Sequence, residues 1–241
     1  METAAPTQLG LIHFLAQADA LAYFLLVVLL AMSVITWYLI ASKSIANRRM
    51  RKSAQAFLEK FWDAPGLDSV AEHIQNAGVH DPFSHLTQRG LHAAEQYRNK
   101  TGQRLIESGT AEEFLTRALR RAIDQDTARL EHGHTMLASI ASSAPFIGLF
   151  GTVWGIYHAL VNIGMSGSGS LDQVAGPVGE ALIMTALGLA VAIPAVLAYN
   201  FFNRSNRLVL NELDGFAHDL FAFMSTGLHA AAPATRTARS A

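Results

Sequence analysis

Cysteine is absent from this chain of 241 residues, which excludes disulfides, thiolate metal sites and a cysteine nucleophile. Basic residues are missing from two regions: all 18 Lys and Arg fall within 43–129 and 204–239, leaving 1–42 and 130–203 without any. Charge of either sign is scarce at 15%, against 51% hydrophobic residues. That balance, with a mean hydropathy of +0.23, is too apolar for an ordinary soluble domain and too charged for a chain wholly in a bilayer. The net charge of -1 gives no reason to expect a nucleic-acid partner. Between 43 and 136 strand alternation and cofactor fingerprints are lacking. Ser142-Ser143 and the glycine-rich 166–170 segment have no nucleophile or phosphate-loop context, so neither an enzyme nor a cofactor is expected. His132 and His134 are two apart, not the i, i+4 pair of a helical metal site, so no metal is expected either.

What is present is length of apolar chain. Three segments meet the requirement of about 20 mostly apolar residues for a membrane-spanning helix: 20–42, 137–163 and 178–202. The first is too long for a signal-peptide core and follows a stretch without Lys or Arg, so it is expected to remain as an anchor. The positive-inside bias then puts 1–19 and the 164–177 loop in the periplasm and 43–136 and the C-terminus in the cytoplasm. Leu9, Leu11, Ile12, Phe14 and Leu15 suit a short helix lying on the outer surface. The run Arg48, Arg49, Arg51, Lys52 is a topology signal that meets anionic lipid.

The insert 43–136 is expected to be helical, broken at Ala64-Pro65-Gly66, Asp81-Pro82 and Thr101-Gly102. Thr110 and Glu113 form a capping box, and Phe114, Leu115, Ala118, Leu119, Ala122 and Ile123 follow at helical spacing. With no Pro between Thr110 and Pro145, the spacing predicts one helix from the cytoplasm through the second span. Leu210, Leu213, Ala217, Leu220 and Met224 continue the third span's period over 203–228, leaving 229–241 as a disordered tail. The fold expected is an all-α membrane protein with three transmembrane helices, the second and third extended into the cytoplasm.

Small residues recur every three or four positions in span two (Ala141, Ala144, Gly148, Gly151, Gly155, Ala159) and in span three (Ala181, Thr185, Gly188, Ala192, Ala195). In lipid such stripes let helices approach closely. They serve either an oligomer or partner helix, or the packing of spans two and three on each other. Glu180 lies at the outer part of span three. A carboxylate at mid-bilayer costs roughly 2.5 to 3.5 kcal/mol on insertion scales, which makes it a functional candidate. The competing reading is an interfacial acid in the first turn of a helix. Thr152 and Thr185 either contribute to a polar path or bond only their own helix backbone. His158 is either protonatable or simply packed.

The string Gly148-Leu149-Phe150-Gly151-Thr152-Val153-Trp154-Gly155-Ile156, with Glu180-Ala181-Leu182, Thr185-Ala186, Gly188-Leu189 and Ala192-Ile193-Pro194-Ala195-Val196, resembles the ExbB/TolQ family, related more distantly to the MotA flagellar stators. Thr36-Trp37 and Ser42-Lys43-Ser44 look more like ExbB than TolQ. Ala175-Gly176-Pro177-Val178-Gly179 departs from the commoner Ala-Pro-Gly-Ile-Ala. The resemblance implies a pentameric ring whose second and third spans line a pore around the helices of an ExbD-like partner. It further implies that the proton gradient of the inner membrane energises a TonB-like protein for uptake of iron-siderophores, haem or vitamins. Glu180, Thr152 and Thr185 correspond to the family's polar pore residues; the main proton-binding carboxylate belongs to the partner. A TolQ-like subunit for outer-membrane constriction and a passive scaffold are the alternatives.

Overall fold

The structure is a computed structural model that describes the backbone of residues 19–99, 110–166 and 171–231. Six helices account for almost all of it: α1 (Ala20–Asp63), α2 (Leu67–Ala77), α3 (Pro82–Asn99), α4 (Ala111–Glu131), α5 (His134–Ser166) and α6 (Leu171–Ala231). No strand occurs among the described residues. The outer segment at Leu9 to Leu15, the Thr101-Gly102 break, residues 167–170 and the tail beyond 231 lie outside them, as do the side chains of Glu180 and 171–177.

Among the described residues, three stretches, Ala20–Asp63, Ala111–Met165 and Ala181–Thr226, are long and apolar enough to cross a bilayer. Residues group into two compact units, Met1–Lys43 with Gly133–Asn203, and Ser44–His132 with Arg204–Ala241.

The apolar unit has a small core because its large side chains face outward: Phe24, Val27, Phe146, Val153 and Leu197 are all more than half exposed. Leu25 and Leu29 of α1 pack with Ile140 and Ala144 of α5 and with Met184, Val191, Ala192 and Ala195 of α6.

Periodicity builds the polar unit. Leu115, Leu119 and Ala122 of α4 and Leu213, Ala217, Leu220 and Met224 of α6 recur at helical spacing and are all buried. Phe57 and Phe61 of α1, Ile74 of α2 and Phe83 and Leu86 of α3 join the same core. Phe216 meets Phe61 and Phe83 edge to face, at ring separations of 4.8 and 5.5 Å. Buried Asp81 starts α3: Oδ1 accepts from the backbone N–H groups of Phe83 and Ser84, and Oδ2 accepts from the Ser53 and Ser84 hydroxyls. Pro82 at the first helical position loses nothing, since its N–H would have no partner inside the helix. Thr110 accepts from the backbone N–H of Glu113 and caps α4.

The single helix expected through Thr110 and the second span is corrected. It breaks at His132 and Gly133, where Gly133 adopts φ +81°, a left-handed conformation that a Cβ disfavours by about 1–2 kcal/mol. A helix breaker other than proline was needed there, and Gly133 is it. Helix α6 also begins at Leu171, ahead of the expected start at 178.

Gly133→Ala is expected to destabilise the chain by about 1–2 kcal/mol from backbone strain, aggravated because the added Cβ would meet Leu39 Cδ2 at 3.3 Å. Gly215→Ala, with open space around it, is expected to gain up to about 1 kcal/mol in helix propensity. Denaturant midpoints of the detergent-purified chain check both; equal midpoints would refute the strain.

Candidate functional site

Spans two and three meet where their small residues coincide. A Cβ on Gly148 would lie 2.7 Å from the Met184 carbonyl oxygen and 3.0 Å from Gly188 Cα; one on Gly188 would lie 2.7 Å from the Ala144 carbonyl oxygen and 3.0 Å from Gly148 Cα. The two glycines face each other with the helix backbones almost in contact. One turn along α5, Gly151 faces the Met184 side chain, and a further turn along, a Cβ on Gly155 would lie 2.9 Å from the Ala181 Cβ. All four glycines therefore face residues of their own chain, and the intramolecular alternative accounts for this stripe. An oligomer does not follow from these four residues.

This close approach positions the hydroxyls. Thr152 is buried, 6% exposed, and its Oγ1 lies 3.1 Å from the Gly148 carbonyl oxygen of its own helix and 3.2 Å from that of Ala181 across the interface. It also bonds the Thr185 hydroxyl. Thr152 thus does more than satisfy its own helix. A hydroxyl carries one proton and two acceptor lone pairs, so either threonine can donate to the other. When Thr185 donates, the Thr152 O–H turns to a carbonyl; when Thr152 donates, the Thr185 O–H is free to donate to a third group. Thr185 is only half-buried, which leaves the pair open on one side. Among the predicted site residues the structure brings together Thr152, Thr185 and the four glycines. Glu180 belongs to α6 immediately before Ala181, and its side chain lies outside the described residues.

Two residues beyond Thr152 on α5 the structure joins residues that sequence reasoning left separate. Asp19 Oδ1 accepts from the backbone N–H of Ala22 at 2.8 Å, capping α1, while Oδ2 accepts from Trp154 Nε1 at 2.6 Å. His158, one turn beyond Trp154, lies over its ring at 4.4 Å and holds Nδ1 3.2 Å from its carbonyl oxygen, so it is packed. Burial raises the Asp19 carboxyl, but the Trp154 and Ala22 hydrogen bonds and the neighbouring His158 outweigh it and leave it below its usual value. A depressed carboxylate contributes stability above its unfolded pKa and loses it as pH falls through the folded value, so this bond persists at neutral pH. The sequence cue was the N-cap position of Asp19 just before an uninterrupted apolar helix. Met184, buried against Gly148 and Gly151, carried no such cue.

A family model described as the MotA/TolQ/ExbB proton channel family matches residues 80–214, a range that includes both threonines, Glu180 and the four glycines. The chain is 41% identical over 233 residues to the biopolymer transport protein ExbB of Xanthomonas campestris pv. campestris, covering 93% of this chain and 92% of that protein. To the biopolymer transport protein ExbB of Neisseria meningitidis it is 46% identical over 194 residues, covering 80% and 87%. To the Tol-Pal system protein TolQ of Pseudomonas aeruginosa it is 32% identical over 215 residues, covering 89% and 92%. Three apolar spans, the second and third packed through paired glycines, and matches along most of the chain that are stronger to these ExbB proteins than to this TolQ, show a multi-pass inner-membrane protein that belongs to the MotA/TolQ/ExbB proton channel family.

Proposed function

We propose that this chain is an ExbB-type subunit of a proton-driven motor of the inner membrane, working with an ExbD-like single-span partner. The complex energises a TonB-like protein for uptake of iron-siderophores, haem or vitamins across the outer membrane. Five copies form a ring whose second and third spans surround the partner's helices. Glu180, Thr152 and Thr185 line the polar path between them.

The observation that carries this reading is the Thr152–Thr185 hydroxyl pair, which crosses between the two matched spans and stays open on the Thr185 side. Hydroxyls there orient and pass hydrogen bonds around a carboxylate as it gains and loses a proton, and apolar neighbours limit leakage. Each charge crossing the membrane releases about 2.3 kcal/mol per 100 mV, a small stroke that suits a ring with repeated equivalent positions.

In a strain lacking its own subunit, this chain with its partner is expected to restore siderophore-dependent growth, and native mass spectrometry to find five copies. Restoration of outer-membrane constriction without uptake would overturn the assignment in favour of a TolQ role.

The one-sided distribution of Lys and Arg supports an N-terminus in the periplasm and a C-terminus in the cytoplasm. A cysteine at Ser168 is expected to react with an impermeant thiol reagent in intact spheroplasts, and one at Gln96 only after lysis. The reverse labelling would contradict this orientation.

A further inference from the structure

Helices α3 and α4 pack side by side within the polar unit. Two contacts set their register: the Tyr97 and Phe114 rings lie 6.3 Å apart near one end, and His85 Nδ1 lies 2.8 Å from Asp126 Oδ2 near the other. The pairings run in opposite directions along the sequence, so the helices are antiparallel and Arg89 falls level with Ala122, the neighbour of Arg121. Between them is a cleft of about 700 Å³, within the range of small-molecule sites.

Its walls are predominantly basic. Arg89 and His92 come from α3 and Arg117, Arg120 and Arg121 from α4, while Asp124 is the single acid among the lining residues. Arg117 and Arg121 are one turn apart and share a helix face. No ion pair is made by Arg117, Arg120 or Arg121 among the described residues, in contrast to Arg129, which meets Asp126 at 3.5 Å. Every fixed cation in the lining is arginine, whose planar fork matches tetrahedral and planar oxyanions through paired N–H donors. The lining also includes Phe114 and three alanines, apolar surface for the uncharged part of a ligand.

Buried groups hold one wall in place. Arg89 Nε donates to His85 Nε2 at 3.3 Å. Because arginine only donates, that nitrogen accepts and the imidazole carries its proton on Nδ1, toward Asp126. The His85 and Asp126 side chains are 8% and 5% exposed. Asp126, His85 and Arg89 thus form a fixed chain of bonds running from the core to the cleft, which reduces the entropy that Arg89 loses when it engages an anion.

We propose that this cleft binds a phosphate-bearing ligand, with Arg89, Arg117 and Arg121 on the phosphate oxygens and Phe114 against the remainder. The site is separate from the threonine pair and independent of the motor assignment. Its bounded volume favours a free phosphate compound or one headgroup over an extended polymer.

Titration calorimetry of the detergent-purified full chain, with inorganic phosphate and then ATP, tests the site, alongside flotation with phosphatidylglycerol and phosphatidylcholine vesicles. Arg121→Gln and Arg117→Gln change exposed side chains and leave the core intact. Loss of a charged hydrogen bond corresponds to about tenfold or more in affinity. Saturable phosphate or ATP binding weakened to that extent by both variants, and unchanged by Arg98→Gln outside the cleft, supports a soluble ligand. The same dependence seen only with phosphatidylglycerol vesicles supports a lipid headgroup. Absence of arginine-dependent binding to any of these probes, or tighter binding of a poly-glutamate peptide, would overturn the proposal.

Discussion

Glu180→Ala is expected to abolish energised uptake while leaving the complex assembled, and Glu180→Asp, which keeps an ionisable group with shorter reach, is expected to be milder. The argument turns on sign. An acid in a span opposes insertion by roughly 2.5 to 3.5 kcal/mol at the bilayer centre, so removing it relieves a penalty. A variant that inserts at least as well, yet cannot drive uptake, has lost chemistry and not structure. Siderophore-dependent growth is measured beside the abundance of the membrane complex. Uptake that falls only in proportion to abundance assigns Glu180 a structural role instead.

Gly148→Ala and Gly188→Ala should be the most disruptive single changes in the apolar unit, although each adds one methyl group. The new atom would sit 2.7 Å from a carbonyl oxygen and 3.0 Å from the opposing glycine Cα. Backbone cannot yield as a side chain does, so the helices must separate. Overpacking ordinarily costs about 1–3 kcal/mol, and here the upper end or beyond is expected. Gly155→Ala, against the Ala181 Cβ at 2.9 Å, should come next. Gly151→Ala meets only the Met184 side chain, which can rotate, and should be milder. Gly164→Ala, with nothing within 4 Å, should be silent. Melting of the purified variants checks the order; equal stability for Gly148→Ala and Gly164→Ala would refute the close approach. The paired glycines also position Thr152 against Thr185, so the same variants should lose function with fold.

The helical fold and its three apolar spans were legible because bilayer thickness imposes a length and hydropathy requirement that few other structures meet. Leu115, Leu119 and Ala122 lie in the polar core because their period is that of a helix. The bend at Gly133 escapes a reading that takes the lack of proline between Thr110 and Pro145 as continuity, whereas a glycine between His132 and His134 allows the positive φ that ends α4. The early start of α6 was hidden by Gly176-Pro177, residues that usually end or open a helix but here lie inside one. In the site, spacing revealed the small-residue stripes without revealing their partner. Gly148 and Gly188 face each other in the same chain, and no periodicity distinguishes that from a face turned to a second copy. The Thr152–Thr185 bond is likewise a property of register between helices, which sequence spacing within either one does not contain. Asp19 and Trp154 are 135 positions apart and meet only once the spans pack.

The Thr152→Val, Thr185→Val double variant tests the proton-path assignment most directly. Valine keeps the shape and removes the hydroxyls, and interhelical hydrogen bonds in membranes average only about 0.6 kcal/mol, so assembly should survive. The measurement is proton-driven uptake per assembled complex, with complex abundance read from the same membranes. A several-fold fall in uptake per complex at near-normal abundance is the expected result. Unchanged uptake per complex would contradict a role for the hydroxyl pair in coupling.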